Sequence, residues 1–173
     1  MADLLKSKDM EMLKRVSLGE EKADLVISGG DLVNVYSGEL LKDYSVAVKG
    51  SWIAYLGPDA DHTVGPDTEV IDASGKVVIP GFVDGHAHMI LYARPDEVLR
   101  YAMRSGTTTI ITEIMELIYP LGYSGLTEWL DNLQDQPVKV FATVPPSITF
   151  SKDAQKRATS LDHLMEILRR DDA

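Results

Sequence analysis

Apolar residues fall first at helical spacing, then at strand spacing, and then alternate between the two. Leu4, Leu5, Met12, Leu13 and Val16 recur near every 3.6 residues with charges between them, and Gly19 is a helix stop. This predicts a short amphipathic leader helix, which needs a packing partner because isolated helices of that length are marginal in water. From Asp24 the period changes to two. Leu25-Val26-Ile27-Ser28 reads as a strand, Gly29-Gly30 as a turn, and residues 31–36 as the return strand. Tyr44, Val46 and Val48 alternate with Ser45, Ala47 and Lys49, residues 52–56 form a further run, and 57–67 is a loop rich in Gly, Pro and Asp. Residues 69–72 and 76–79 complete a set of short strands with glycine punctuation, the pattern of an antiparallel β-sandwich segment. After Pro80-Gly81 the style changes again. A strand starting at 81–84, a helix at 95–105, a strand at 107–112, a helix at 126–133, a strand at 138–144 and a helix at 161–170 are expected. Strand and helix in alternation signify βα units on a parallel sheet.

Composition narrows the function classes. Seventeen Lys and Arg against 27 Asp and Glu give a formal charge of −10, which disfavours nucleic acid or an anionic membrane as partner. Cysteine is absent, so disulfides, thiolate metal sites and thiol nucleophiles are excluded. No apolar run approaches the roughly 20 residues that span a bilayer, and residues 1–21 lack the apolar core of a secretion signal. A cytoplasmic protein is expected. No G-x-S-x-G or phosphate-loop motif occurs.

The sharpest chemical feature is Asp84-Gly85-His86-Ala87-His88. On a strand, residues two apart share a face, so Asp84, His86 and His88 are expected to project together. Two imidazoles so placed can ligate one divalent metal. The plainer reading is a chance pair, with Asp84 hydrogen-bonding locally. His62, in an acidic loop, and His163, on a helix, read as surface residues.

The stretch V-I-D-A-S-G-K-V-V-I-P-G-F-V-D-G-H-A-H over residues 70–88 resembles the signature of the amidohydrolase superfamily. A-D-L-V-I-S-G-G at 23–30 and V-A-V-K-G-S-W-I at 46–53 are also similar to it. Within the superfamily the leader at 13–24, G-T-T-T-I-I-T at 106–112, Trp129 and P-V-K-V-F at 137–141 followed by Pro145-Pro146-Ser147 look like the N-terminal part of adenine deaminases. The resemblance implies a metal-dependent hydrolase built on a TIM (β/α)₈ barrel beside a β-sandwich. It implies that His86 and His88 close the first barrel strand as metal ligands. The adenine deaminase family writes D-P-H-E after its second strand, with the Glu a ligand; here Glu113-Ile114-Met115-Glu116 stands, so Glu116 inherits that role and Glu113 is its neighbour. Asp84 would support the ligands from behind. Met89-Ile90-Leu91-Tyr92 stands where that family writes E-S-S.

A whole barrel takes about 250 residues, whereas about 90 follow Pro80, enough for three βα units. The expected organisation is therefore a leader helix over 1–22, a β-sandwich segment over 23–80 and the truncated start of a barrel over 81–173. The implied activity of the full-length protein is hydrolysis of a C–N bond, adenine and water giving hypoxanthine and ammonia, with zinc, manganese or iron as the divalent metal. The general acid is not identifiable in these residues, and the 173-residue chain alone is expected to be inactive. The alternatives are another branch that opens a cyclic amide or removes an acyl group, and a non-catalytic remnant that binds or assembles. A small-molecule substrate and self-association into a homo-oligomer, through exposed strand edges, are the expected partners.

Overall fold

The computed structural model describes residues 7–143 and 160–170. The chain divides into two compact units that meet in sequence at Pro80 and Gly81. Pro145-Pro146-Ser147 and Val144 lie outside the described residues.

The first unit opens with helix α1 (Ser7–Ser17) and continues with β1 (Leu25–Asn34), β2 (Glu39–Lys49), β3 (Trp52–Gly57), β4 (Glu69–Asp72) and β5 (Val77–Val78). One five-stranded sheet results, in the order β3-β2-β1-β4, with β5 also paired to β1. Val16 of α1 is fully buried in a cluster with Ala23, Val26, Ala47 and Ala60. That burial supplies the partner the amphipathic leader needs.

Two sequence expectations are corrected here. The strands are not all antiparallel: β1 runs antiparallel to β2, but β4 and β5 run parallel to β1. The reason is topological. β3 lies at one edge, so the chain must cross the sheet to reach the free side of β1, and parallel neighbours require such a crossover rather than a hairpin. The loop after β3, which carries a short 3-10 helix at Asp61–Thr63, provides it. Gly29-Gly30 is likewise no turn; it lies inside β1, where the register against β2 shifts on both sides of Gly30. Gly29 takes φ +70°, and a Cβ on Gly30 would lie 2.5 Å from Val78 Cγ2. The doublet thus builds a bulge with a close approach to β5.

The second unit contains β6 (Phe82–Ala87), a 3-10 turn (Met89–Leu91), α2 (Pro95–Arg104), β7 (Thr107–Glu113), α3 (Met115–Asp131), β8 (Lys139–Thr143) and α4 (Leu161–Ile167). The sheet order is β6-β7-β8, all parallel, as the βα alternation anticipates. Ala87, Met89, Leu99, Ile110, Leu133, Val138 and Val140 form one core cluster. Ile114, Leu117, Ile118, Leu126, Leu130, Ala142 and Ile167 form a second. Helix α3 starts well before the expected residue 126. Its first half is hidden from pattern reading by Pro120 and by Gly122, which takes φ 66° and ψ −168° and kinks the helix.

Two outcomes test this account. Gly30→Ala places a methyl against Val78 and should destabilise the chain by about 1–3 kcal/mol in urea denaturation. Asp24 accepts hydrogen bonds from the Gly50 N–H and the Lys49 ammonium, both at 2.8 Å, and these hold its carboxyl below the usual range, Gly50 contributing most. A lowered folded value stabilises above the unfolded pKa of about 3.9 and is lost as pH falls through the folded value. Asp24→Asn should therefore cost about 0.2–1 kcal/mol at neutral pH, the size of an exposed pair. The difference from the parent should close as the pH falls below the ordinary carboxylate range.

Candidate metal centre

The candidate site forms where β6 ends beside β7. Asp84 pairs with Ile110 and Ala87 with Thr112, so three steps along β6 match two along β7. The extra residue is a bulge around Gly85-His86. The Asp84 Oδ1 accepts the His86 N–H at 3.2 Å. The bulge also breaks the simple alternation. Asp84 lines a hollow of about 450 Å³ together with Ala87, Met89, Val98, Ala102 and Ile110. Its link to the histidines is through the His86 backbone.

His86 and His88 do come together. Their ring centroids are 5.1 Å apart and the planes are nearly perpendicular, at 79°. His88 follows the last residue of β6 and caps the 3-10 turn, its carbonyl accepting the Leu91 N–H at 2.9 Å. Its two chain neighbours, Ala87 and Met89, are both buried in the core.

Thr112 holds this segment, and pattern reading missed it. Its fully buried hydroxyl accepts the Met89 N–H at 3.1 Å and lies 3.2 Å from the Ala87 carbonyl, to which it can donate. That hydroxyl has one proton and a second carbonyl in reach, that of Glu113 at 3.1 Å, so its firm hold is on the Met89 side of His88. Only its place in a β-branched strand signalled burial; nothing in sequence announced the hydroxyl's partners.

Glu116 sits in the first turn of α3, where the helix dipole favours a carboxylate. Its Oε1 accepts a hydrogen bond from Nδ1 of His88 at 2.6 Å. Its Oε2 is buried with no hydrogen-bond partner among the described residues. Glu113 ends β7 opposite Thr143 of β8 and has no described bond to either imidazole. His62 and His163 stand elsewhere; His62 is exposed, as expected, and His163 is half-buried. His62 Nε2 lies 3.1 Å from the Ser17 carbonyl with its ring edge-on to Tyr55, and the half-buried His163 stacks on Tyr123 with centroids 4.1 Å apart.

The donor types fit a divalent ion: two imidazoles in ring contact, with a carboxylate whose buried oxygen lacks a partner. Among the described residues, however, no three His, Asp or Glu side chains are grouped to hold one ion. The three candidates form a chain, His86 to His88 to Glu116, rather than a converged shell.

Thr112→Val keeps the shape but leaves the Met89 N–H buried and unpaired. It should cost about 1–3 kcal/mol in urea denaturation, while Thr112→Ser should recover most of the loss.

Residues 69–119 match the model of the amidohydrolase family. An adenine deaminase of Rhizobium meliloti is 36% identical over 147 residues, covering 84% of this chain and 25% of the relative. An adenine deaminase of Rubrobacter xylanophilus is 43% identical over 133 residues, covering 76% of this chain and 22% of the relative. The chain thus spans about a quarter of the length of these relatives. Among solved structures, a D-hydantoinase from Thermus sp. superposes with TM-score 0.59 at 24% identity, over 77% of this chain and 30% of that one. An N-acyl-D-glutamate deacylase from Bordetella bronchiseptica, complexed with zinc and a phosphonate inhibitor, gives 0.57 at 23%, over 85% and 36%. These likenesses carry the fold: a β-sandwich segment followed by the first βα units of a TIM barrel. With its motifs, its family-model match over residues 69–119 and these relatives agreeing, the chain is similar to the amidohydrolase family and to adenine deaminases.

Proposed function

We propose that this chain is the metal-binding start of a hydrolase acting on a carbon–nitrogen bond in a small molecule, with adenine and water giving hypoxanthine and ammonia. The observation that carries the reading is the imidazole pair at the end of β6 with Glu116 bonded to one member, in a chain similar to adenine deaminases. His86, His88 and Glu116 would hold a divalent ion, for which zinc, manganese or iron all suit the donors. Such an ion, when bound, lowers the pKa of water enough to make a nucleophile near neutral pH.

The chain's own residues do the positioning. Thr112 fixes the backbone around His88, and Glu116 fixes the ring. Met89 and Ile114, both fully buried, anchor the segments that carry His88 and Glu116 and keep water from beneath them. A second reading, hydrolysis of a cyclic or acyl amide, is favoured by Met89-Ile90-Leu91-Tyr92 and Glu113-Ile114-Met115-Glu116, which replace the adenine deaminase motifs beside the pair. No described helix is long and apolar enough to cross a membrane.

The test is metal analysis together with ammonia release from adenine and from cyclic amides, using a polypeptide in which this stretch continues to the length of its relatives. His86→Ala and Glu116→Gln should each lower metal content and reduce the rate at least about 10–100-fold. Full metal content and rate in His86→Ala would refute the reading. Turnover of a cyclic amide but not adenine would select the second one.

A further inference from the structure

We propose that the outer edge of β3 is a docking surface for a second copy of this chain, paired antiparallel about a two-fold axis between Ala54 and Tyr55. The surface lies in the first unit and is independent of the metal reading. β3 ends the sheet and pairs only with β2, and among the described residues no hydrogen bond outside that ladder reaches its backbone. Its outward N–H and C=O groups are therefore free to accept another strand. Folded chains blunt such edges with charge, proline or shortness. The other edges among the described strands are so treated: Glu69 and Asp72 end β4, β5 has two residues, Asp84 lies within β6 and Lys139 opens β8. Trp52-Ile53-Ala54-Tyr55-Leu56-Gly57 has neither charge nor proline, in a chain with a formal charge of −10.

The side chains of β3 fit a copy of themselves. Leu56 pairs with Val46, Tyr55 with Ala47 and Ile53 with Val48, so Ala54 is an extra residue in the ladder. That bulge puts Ile53 and Leu56 on one face, the face of Val46 and Val48. α1 packs on the opposite face, where Val16 meets Val26 and Ala47. Ile53 is 64% exposed and Leu56 44%. The two-fold pairing sets Ile53 opposite the partner's Leu56, Ala54 opposite the partner's Tyr55 and Trp52 opposite the partner's Gly57, each pair occurring twice. An exposed apolar side chain thus meets another, and each ring meets one of the two smallest residues. No like charges face each other, although the chain as a whole repels its copies. The same six residues supply both halves of the fit, which favours a second copy over a foreign strand. A junction this narrow buries less than about 1,200 Å², so the dimer is a reversible one.

The experiment is analytical ultracentrifugation of the 173-residue chain from about 5 to 500 µM, a range that brackets reversible dimers. The weight-average mass should rise with concentration from monomer toward dimer. Ile53→Lys and Leu56→Lys, both at exposed positions, should each hold the chain monomeric while circular dichroism and the urea midpoint stay at the parent's values. Register is read by cross-linking, because the chain has no cysteine of its own. Directly opposed strand positions have Cα atoms about 4.5–5.5 Å apart, within reach of a disulfide. Under mild oxidation, an equimolar mixture of Ile53→Cys and Leu56→Cys chains should form the mixed disulfide in clear preference to either symmetric one. That arm needs no lysine variant to fold. A chain that stays monomeric at the highest concentration would overturn the proposal and leave the edge to solvent or to a segment of a longer polypeptide. A dimer untouched by both lysine variants, or symmetric disulfides formed as readily as the mixed one, would overturn it as well.

Discussion

The arrangement at the end of β6 depends on one mismatch of register. Between Asp84 and Ala87 the strand carries one residue more than its partner β7 needs. A regular strand would send Asp84, His86 and His88 to one side. With the bulge in place, Asp84 lines the hollow beside residues of α2 and the imidazoles stand in ring contact. It also leaves the His86 N–H out of the ladder, and the Asp84 carboxylate accepts it. Ala87, the last residue of β6, pairs with Thr112, whose hydroxyl reaches the backbone next to His88.

The supports of the site are apolar and its working groups are polar, and the two kinds of residue alternate closely along the chain. Ala87 and Met89 flank His88; Ile114 and Leu117 bracket Glu116. Core packing of this kind fixes backbone position more firmly than a network of exposed polar contacts does. The bond between His88 and Glu116 then joins two segments already held from below.

Sequence patterning conveyed the order of elements well in the second unit, because period-two and period-3.6 runs there are separated by Pro95 and Gly106. It failed where one residue type serves two structures. Gly29-Gly30 reads as a turn, yet the same freedom of φ builds a bulge inside β1. Pro120 and Gly122 read as the absence of a helix, yet α3 runs through them with a kink. Strand direction in the first unit was illegible as well, since a half-buried strand has the same period whether parallel or antiparallel. At the site, the histidine pair and Glu116 were legible from spacing and family likeness. Thr112 was not, because its importance lies in two backbone groups 23 and 25 residues away.

The placement of the site within its sheet has a consequence for how it opens. Among the described strands, β7 is paired on both sides and β6 on one. Amides of β7 should therefore exchange with solvent only through large openings, whereas those of β6 can be released by fraying of a single ladder. His86 thus rides on a strand held by one ladder, with His88 just past its end, and Thr112 on the strand held by two, among the described strands. Departure of the imidazole pair is thus a local event, and the template on which it can re-form persists through it.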